Sequence, residues 1–268
     1  MSDAVHSDLP PPAPDIRIVL VGTQHPGNIG AAARAMKTMG LARLVLVAPE
    51  KEPDRDTVAM AAGADDLIAA APVHATLAEA VADCALVLGC TARSRRVQLE
   101  QLDPRQAAGR VLAATASGPV ALVFGRERTG LDNNELQLCH AAVHIPSDPA
   151  FSSLNLAAAV QVLSYEVRMA VLGDGGAATD APPVAPAAVL REGVAPHAEL
   201  EGFFSQLANA LDAIDFHKGR TPDSAMRKLR RLYLRAGLDS AEVRLLRGVL
   251  ADTQRMAMLA TKGPVSKD

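Results

Sequence analysis

Short, nearly uninterrupted apolar runs recur through the first two thirds of this chain, and they limit its possible folds more than any other feature. They are Ile16 to Val21, Leu44 to Ala48, Ala85 to Leu88, Val120 to Phe124 and Ala141 to Ile145. A strand with one wet face alternates apolar and polar residues. These runs do not, so both faces are buried, and the expected sheet is mainly parallel with helices on either side. Helical text lies between them: an alanine-rich segment closed by Gly40, then Leu77 to Val81 and Asp103 to Ala114. The segment Leu154 to Leu172 carries only Glu166 and Arg168 as charges, so a helix there needs cover on several sides, from its own sheet and from a second subunit.

Composition then divides the chain. Residues 1–14 hold Pro10, Pro11, Pro12 and Pro14 and little that could pack, which predicts a disordered tail. Residues 15–172 form the expected main domain. Residues 173–198 are small and Pro-rich, the composition of a linker. Residues 199–268 read as a small helical module, with Leu200, Phe203, Phe204, Leu207, Leu211 and Ile214 at helical spacing and two further amphipathic stretches behind them. No stretch approaches the ~20 apolar residues of a membrane span, and the first fourteen residues lack a signal-type apolar run, so the expected location is the cytoplasm. Cys84, Cys90 and Cys139 lack metal-ligand or disulfide spacing, and neither a metal site nor a cystine framework is expected. The net charge of −3 argues against a protein coated in nucleic acid. Its distribution is uneven: between Phe216 and Arg235, seven basic residues face only Asp223. That segment is either an RNA-facing surface or an ordinary solvated helix face.

Three segments carry chemistry. VGTQHPGNIGAAARAMKTMG, Val21 to Gly40, has glycines that admit close backbone approach, Asn28 as a candidate helix cap, and Arg34 on the helix. It imitates a dinucleotide-binding turn, with Glu50 after the next strand, but fails on spacing. Gly27 and Gly30 are two residues apart, no G-x-G occurs, and Pro26 occupies the turn. ALVFGRERTGLDNNEL, Ala121 to Leu136, places Arg126, Glu127 and Arg128 directly after a buried strand, where ligands bind in α/β sheets, and Asp132 caps the helix that follows. Mutual salt bridges are the alternative account of the two arginines. IPSDPAFSSLNLAAAVQVLSYEVR, Ile145 to Arg168, gathers Ser152, Ser153 and Asn155 at the start of its helix; capping accounts for one of them and not three.

Together and in this order, the three segments resemble the motifs of the SpoU/TrmH 2′-O-methyltransferases of the SPOUT superfamily. The similarity runs from Ile16 to Arg168, through MAAGADD at Met60 to Asp66 and TARSRR at Thr91 to Arg96. ARAMKTMGL, FGRERTGL and SSLNLAAAVQVLSYEVRMA are most similar to the TrmJ-type enzymes, and MRKLRRLYLRA followed by LLRGVLA is similar to their carboxyl-terminal extension. The resemblance implies an α/β domain with a trefoil knot that binds S-adenosylmethionine, a homodimer, and 2′-O-methylation of tRNA at the anticodon-loop pyrimidine of position 32. Its alternatives are a ribosomal RNA substrate or a non-catalytic RNA-binding protein on the same scaffold. It also implies that the cofactor lies against Cys90, Thr91, Ala92, Gly125, Glu127, Gly130, Ile145, Ser152, Ser153 and Leu154; Cys90 departs from the small hydroxyl residue common there. Arg34, Asn28, Ser153 and Asn155 match the family's catalytic positions. Arg93, Arg95, Arg96, Arg227, Lys228, Arg230, Arg231 and Arg235 are the candidates for RNA phosphate contacts.

Overall fold

A computed structural model describes residues 15–92, 99–148, 150–173, 194–219 and 221–261. In chain order its strands are β1 (Ile16–Val21), β2 (Arg43–Val47), β3 (Val73–His74), β4 (Leu86–Cys90), β5 (Gln101–Leu102), β6 (Val120–Phe124) and β7 (Ala141–Val143). The helices are α1 (Pro26–Thr38), α2 (Arg55–Ala61), α3 (Asp65–Ala69), α4 (Leu77–Ala80), α5 (Pro104–Ala114), α6 (Asn133–Gln137), α7 (Leu156–Val171), α8 (His197–Ala213), α9 (Pro222–Ala236) and α10 (Ser240–Thr261). The strands make one seven-stranded sheet of order β3-β2-β1-β6-β4-β7-β5, and every pairing is parallel.

The sheet is buried on both faces, as the apolar runs require. Ile16, Ile18 and Leu20 of β1 join a core roofed by α1, α5 and α7, while Val19 and Val21 pack on the opposite face with Leu77 of α4 and Leu136 of α6. α1 and α2 touch through Gly30: a Cβ there would overlap the Thr57 carbonyl, so glycine is what permits the contact. The Thr57 hydroxyl adds a bond to the Pro26 carbonyl at 3.1 Å. Among the described residues no helix is long and apolar enough to cross a membrane.

The carboxyl-terminal helices have their own core, in which Leu200, Phe203, Phe204 and Leu207 of α8 meet Leu234 and Val243. This module begins before residue 199. Residues 194–198, whose composition reads as linker, are bound into the structure: Ala195 N–H donates to the Leu238 carbonyl, and Ala198 N–H to that of Ala82. Residues 174–193 lie outside the described set, and so does the expected amino-terminal tail.

Where this module meets the sheet domain, His140 and His197 stand edge to face with ring centroids 6.2 Å apart. His140 Nδ1 accepts from the Val87 amide at 3.1 Å, and His197 Nε2–H donates to the Leu138 carbonyl at 3.0 Å. Burial pushes His140 down to about 3 and lowers His197 as well. When folded, His140 stays neutral and His197 takes up a proton less readily than it does unfolded, whereas in the unfolded chain both take up protons below pH ~6.5. Stability present above that pH is therefore lost as the pH falls toward the folded values, by at most ~1.4 kcal/mol per unit for each histidine. Thermal melts from pH 7 to 5 should show a falling Tm, with a shallower slope for His140→Asn, which keeps an acceptor for Val87. Equal slopes for the two proteins would refute this account.

Candidate active site

Parallel strands end at one edge of the sheet, and in this chain β4, β6 and β7 end around a cavity of about 140 Å³. Phe124, Ile145, Leu156 and Ala159 supply apolar surface, and Thr91, Glu127, Ser152 and Ser153 supply polar groups. Cys90 is there too, and burial pushes its thiol up to about 12, so it lines the cavity as a neutral group. Three backbone contacts shape the walls. Thr91 N–H donates to the Val143 carbonyl at 2.9 Å, Gly130 N–H to that of Arg126 at 2.8 Å, and the Ser147 hydroxyl to that of Ser152 at 3.1 Å. Gly125 lies flat against the Gly130–Leu131 peptide, where a Cβ would overlap backbone atoms.

The structure brings together all ten residues expected at the cofactor: Cys90, Thr91, Ala92, Gly125, Glu127, Gly130, Ile145, Ser152, Ser153 and Leu154 line this one cavity. A volume of about 140 Å³ is below the ~300 Å³ of the smaller complete ligand sites.

Glu127 ties the three segments to each other. Its carboxylate accepts from the Gln24 amide at 3.0 Å, the His25 amide at 3.2 Å and Asn28 Nδ2 at 2.8 Å. Asn28 Oδ1 in turn accepts from Asn155 Nδ2 at 3.1 Å, and Asn155 Oδ1 caps α7 by accepting from the Ala157 amide at 2.9 Å. Burial alone raises the Glu127 pKa, but these donors outweigh it and hold the carboxyl below its ordinary range. It is an anion fixed in place. Asn28 is therefore not the helix cap its position suggested. α1 starts at Pro26 with His25 as a cap residue that makes no side-chain bond, and Glu127, about a hundred residues downstream, meets the amides at that end.

Arg34 is not in the cavity. It lies exposed on α1, and among the described residues its guanidinium has no hydrogen-bond or ion-pair partner. Arg93, Arg95 and Arg96 fall outside the described residues. Arg227, Lys228, Arg231 and Arg235 are exposed on α9. Arg230 requires a correction as a phosphate contact: its side chain is 12% exposed, bound to Glu201, stacked over Phe204 at 4.3 Å and bonded to the Gln137 carbonyl. A guanidinium so occupied is not available to RNA. Its neighbours gave the signal, since Met226, Leu229 and Tyr233 put that side of α9 against the core. Sequence reading also missed the Arg126–Glu135 ion pair at 2.9 Å beside the cavity, because Glu135 already has a local role in the Asp132 capping box.

Residues 15–165, more than half of the chain, match the family described as the SpoU rRNA Methylase family. The chain belongs to that family. Residues 198–262 of this SpoU-family chain match a second one, described as the tRNA methyltransferase TrmJ, C-terminal domain. The chain is 51% identical to the tRNA (cytidine/uridine/adenosine-2′-O-)-methyltransferase TrmJ of Pseudomonas aeruginosa over 243 residues, 90% of this chain and 95% of the relative. It is 48% identical to the tRNA (cytidine/uridine-2′-O-)-methyltransferase TrmJ of Cronobacter sakazakii, over 90% of this chain and 96% of that one. The crystal structure of TrmJ from Z. mobilis ZM4 superposes with a TM-score of 0.73 at 37% identity, covering 88% of this chain and 97% of that one.

Proposed function

We propose that this chain transfers a methyl group from S-adenosylmethionine to a ribose 2′-hydroxyl of tRNA, at the first pyrimidine of the anticodon loop. The observation that carries the reading is the Glu127–Asn28–Asn155 connection beside a cavity built from the ends of β4, β6 and β7. Relatives of nearly the same length, named as tRNA 2′-O-methyltransferases, support the substrate class. When bound, S-adenosylmethionine supplies a methyl group on a sulfonium, which an oxygen nucleophile can attack in line.

The chain's own residues then have to hold and align. The loops at Cys90 to Ala92, Gly125 to Gly130 and Ile145 to Leu154 would hold the cofactor, with Glu127 as the carboxylate among the lining residues. Asn155 and Asn28 brace those loops against α1, and Ser153 stands at the rim, where a ribose hydroxyl would enter. Arg34 anchors a phosphate of the RNA. A guanidinium with a pKa above ~12 does not serve as a base near neutral pH, so the hydroxyl proton leaves to a phosphate oxygen or to water. Alignment therefore supplies much of the rate. The reading also includes the trefoil path of SPOUT chains, a cytoplasmic homodimer, and the carboxyl-terminal helices from α8 onward as a distinct RNA-binding extension. Exposed Tyr165 on α7 and Leu172 at its carboxyl cap support the dimer.

The chain has two tyrosines, five phenylalanines and no tryptophan, so it offers few platforms for stacked bases. Recognition should then rest on backbone charge. The exposed cations Arg227, Lys228 and Arg235 of α9 would release about three counterions, so tRNA affinity should fall by roughly two decades per tenfold rise in salt. A titration that is flat in salt would contradict this. The direct test is incubation of the protein with labelled S-adenosylmethionine and unmodified tRNA, followed by nuclease digestion and mass spectrometry. A 2′-O-methylated pyrimidine at the first anticodon-loop position supports the reading; methyl transfer to ribosomal RNA alone overturns it.

A further inference from the structure

α6 is five residues long, and both of its ends are in use. At the amino end Asp132 and Glu135 form a capping box, and Glu135, with a 12% exposed side chain, holds Arg126 Nη1 with both carboxylate oxygens at 2.9 and 3.1 Å. Arg126 belongs to the loop that walls the cavity. At the carboxyl end two side chains of the C-terminal module donate to the last carbonyls: Arg230 Nη2 to Gln137 at 3.3 Å, and His197 Nε2–H to Leu138 at 3.0 Å. Arg230 is itself fixed, by Glu201 and by stacking over Phe204. So short a helix has almost no internal hydrogen bonding, and its end contacts decide where it sits. Leu131 and Leu136, both buried, pack the segment against the sheet face beneath it.

We infer that Arg230 is a positioning residue for the cavity: through Gln137 it sets α6, and through Glu135 and Arg126 α6 sets the loop from Gly125 to Gly130. The C-terminal module thereby tunes the affinity of the cavity for its cofactor. This rests on the reading of the cavity as an S-adenosylmethionine site. The same helix that turns Arg230 inward presents Arg227, Lys228 and Arg235 outward. RNA seated on that outer face therefore acts on the cavity, and by linkage the cofactor changes RNA affinity by the same factor.

The test is calorimetric titration of S-adenosylhomocysteine into the full chain, alone and with saturating tRNA. Wild type is compared with Arg230→Lys, which can still pair with Glu201 but is a single point donor that cannot also span to Gln137. We expect affinity about five- to tenfold weaker in Arg230→Lys, Tm within a few degrees of wild type, and loss of the affinity change that tRNA produces in wild type. Glu135→Gln, cutting the other end of the same connection, should weaken binding similarly, and the double variant should be no worse than the weaker single one. Equal affinity in wild type and Arg230→Lys overturns the inference, as do strictly additive losses or losses that only follow Tm. A wild-type chain that binds no S-adenosylhomocysteine overturns the reading of the cavity as well.

Discussion

Arg34→Ala should lower turnover with tRNA by about 100- to 1,000-fold while leaving S-adenosylhomocysteine affinity within about twofold of wild type. That range is the usual cost of removing one well-placed group that stabilises charge in a transition state. The separation of the two readouts follows from the geometry. Arg34 is exposed, has no partner among the described residues and lies outside the cavity, so neither stability nor cofactor binding depends on it. A surface change of this kind shifts stability by only ~0.5 kcal/mol. Arg34→Lys should recover part of the rate, since it restores charge without the paired donors that grip a phosphate. Single-turnover rates with enzyme in excess over tRNA are the measurement, and an unchanged rate in Arg34→Ala removes this residue from the mechanism.

Gly125→Ala should have the opposite profile, losing cofactor binding and stability together. The added methyl would overlap the peptide between Gly130 and Leu131, and backbone cannot rotate aside as a side chain can. Either the end of β6 or the loop opposite must move, at ~1–3 kcal/mol for an overpacked site. The displaced loop carries Glu127, so the connections to Gln24, His25 and Asn28 are broken as well. We expect S-adenosylhomocysteine binding at least ~100-fold weaker, since that is the loss when ~3 kcal/mol of aligned contacts disappears. Gly109→Ala is the control. It lies on the exposed side of α5 with nothing near its Cβ position, and should be neutral or stabilising by up to ~1 kcal/mol. Urea melts and calorimetry on the two variants decide between loop displacement and a general intolerance of alanine.

What the sequence made legible was whatever had a period or a local signal. The five apolar runs are five of the seven strands, and α1, α5, α7 and the carboxyl-terminal helices lie where apolar spacing put them. β3 and β5 have two residues each, too few for any periodicity, and depend on pairing with β2 and β7. α2 and α3 are short helices in a polar stretch with few apolar positions to repeat. At the site, residue types and order pointed to loops that the structure brings to one cavity, because a buried strand followed by glycine and charge is a local pattern. The partner of the α1 amino end was not legible: Asn28 had the right type and place for a cap, but Glu127 reaches that end only through tertiary folding. Arg230 shows a second limit. A count of charges treats every arginine in a basic helix alike, while a turn of roughly 100° per residue decides which one faces inward.

The carboxylate at the start of α1 also bears on which small molecules this sheet edge rejects. A helix that begins just after a strand in a parallel sheet ordinarily attracts the phosphates of a nucleotide, because its first amides are unpaired and its dipole is positive there. In this chain the Gln24 and His25 amides are already matched with Glu127, and the nearby Glu50 is bonded to Gln24 Nε2. A diphosphate arriving at that end would meet a fixed negative charge, with the Gln24 and His25 amides already engaged. Under the proposed S-adenosylmethionine reading, the fixed carboxylate of Glu127 would oppose the phosphates of a nucleotide at this edge while accepting a sulfonium.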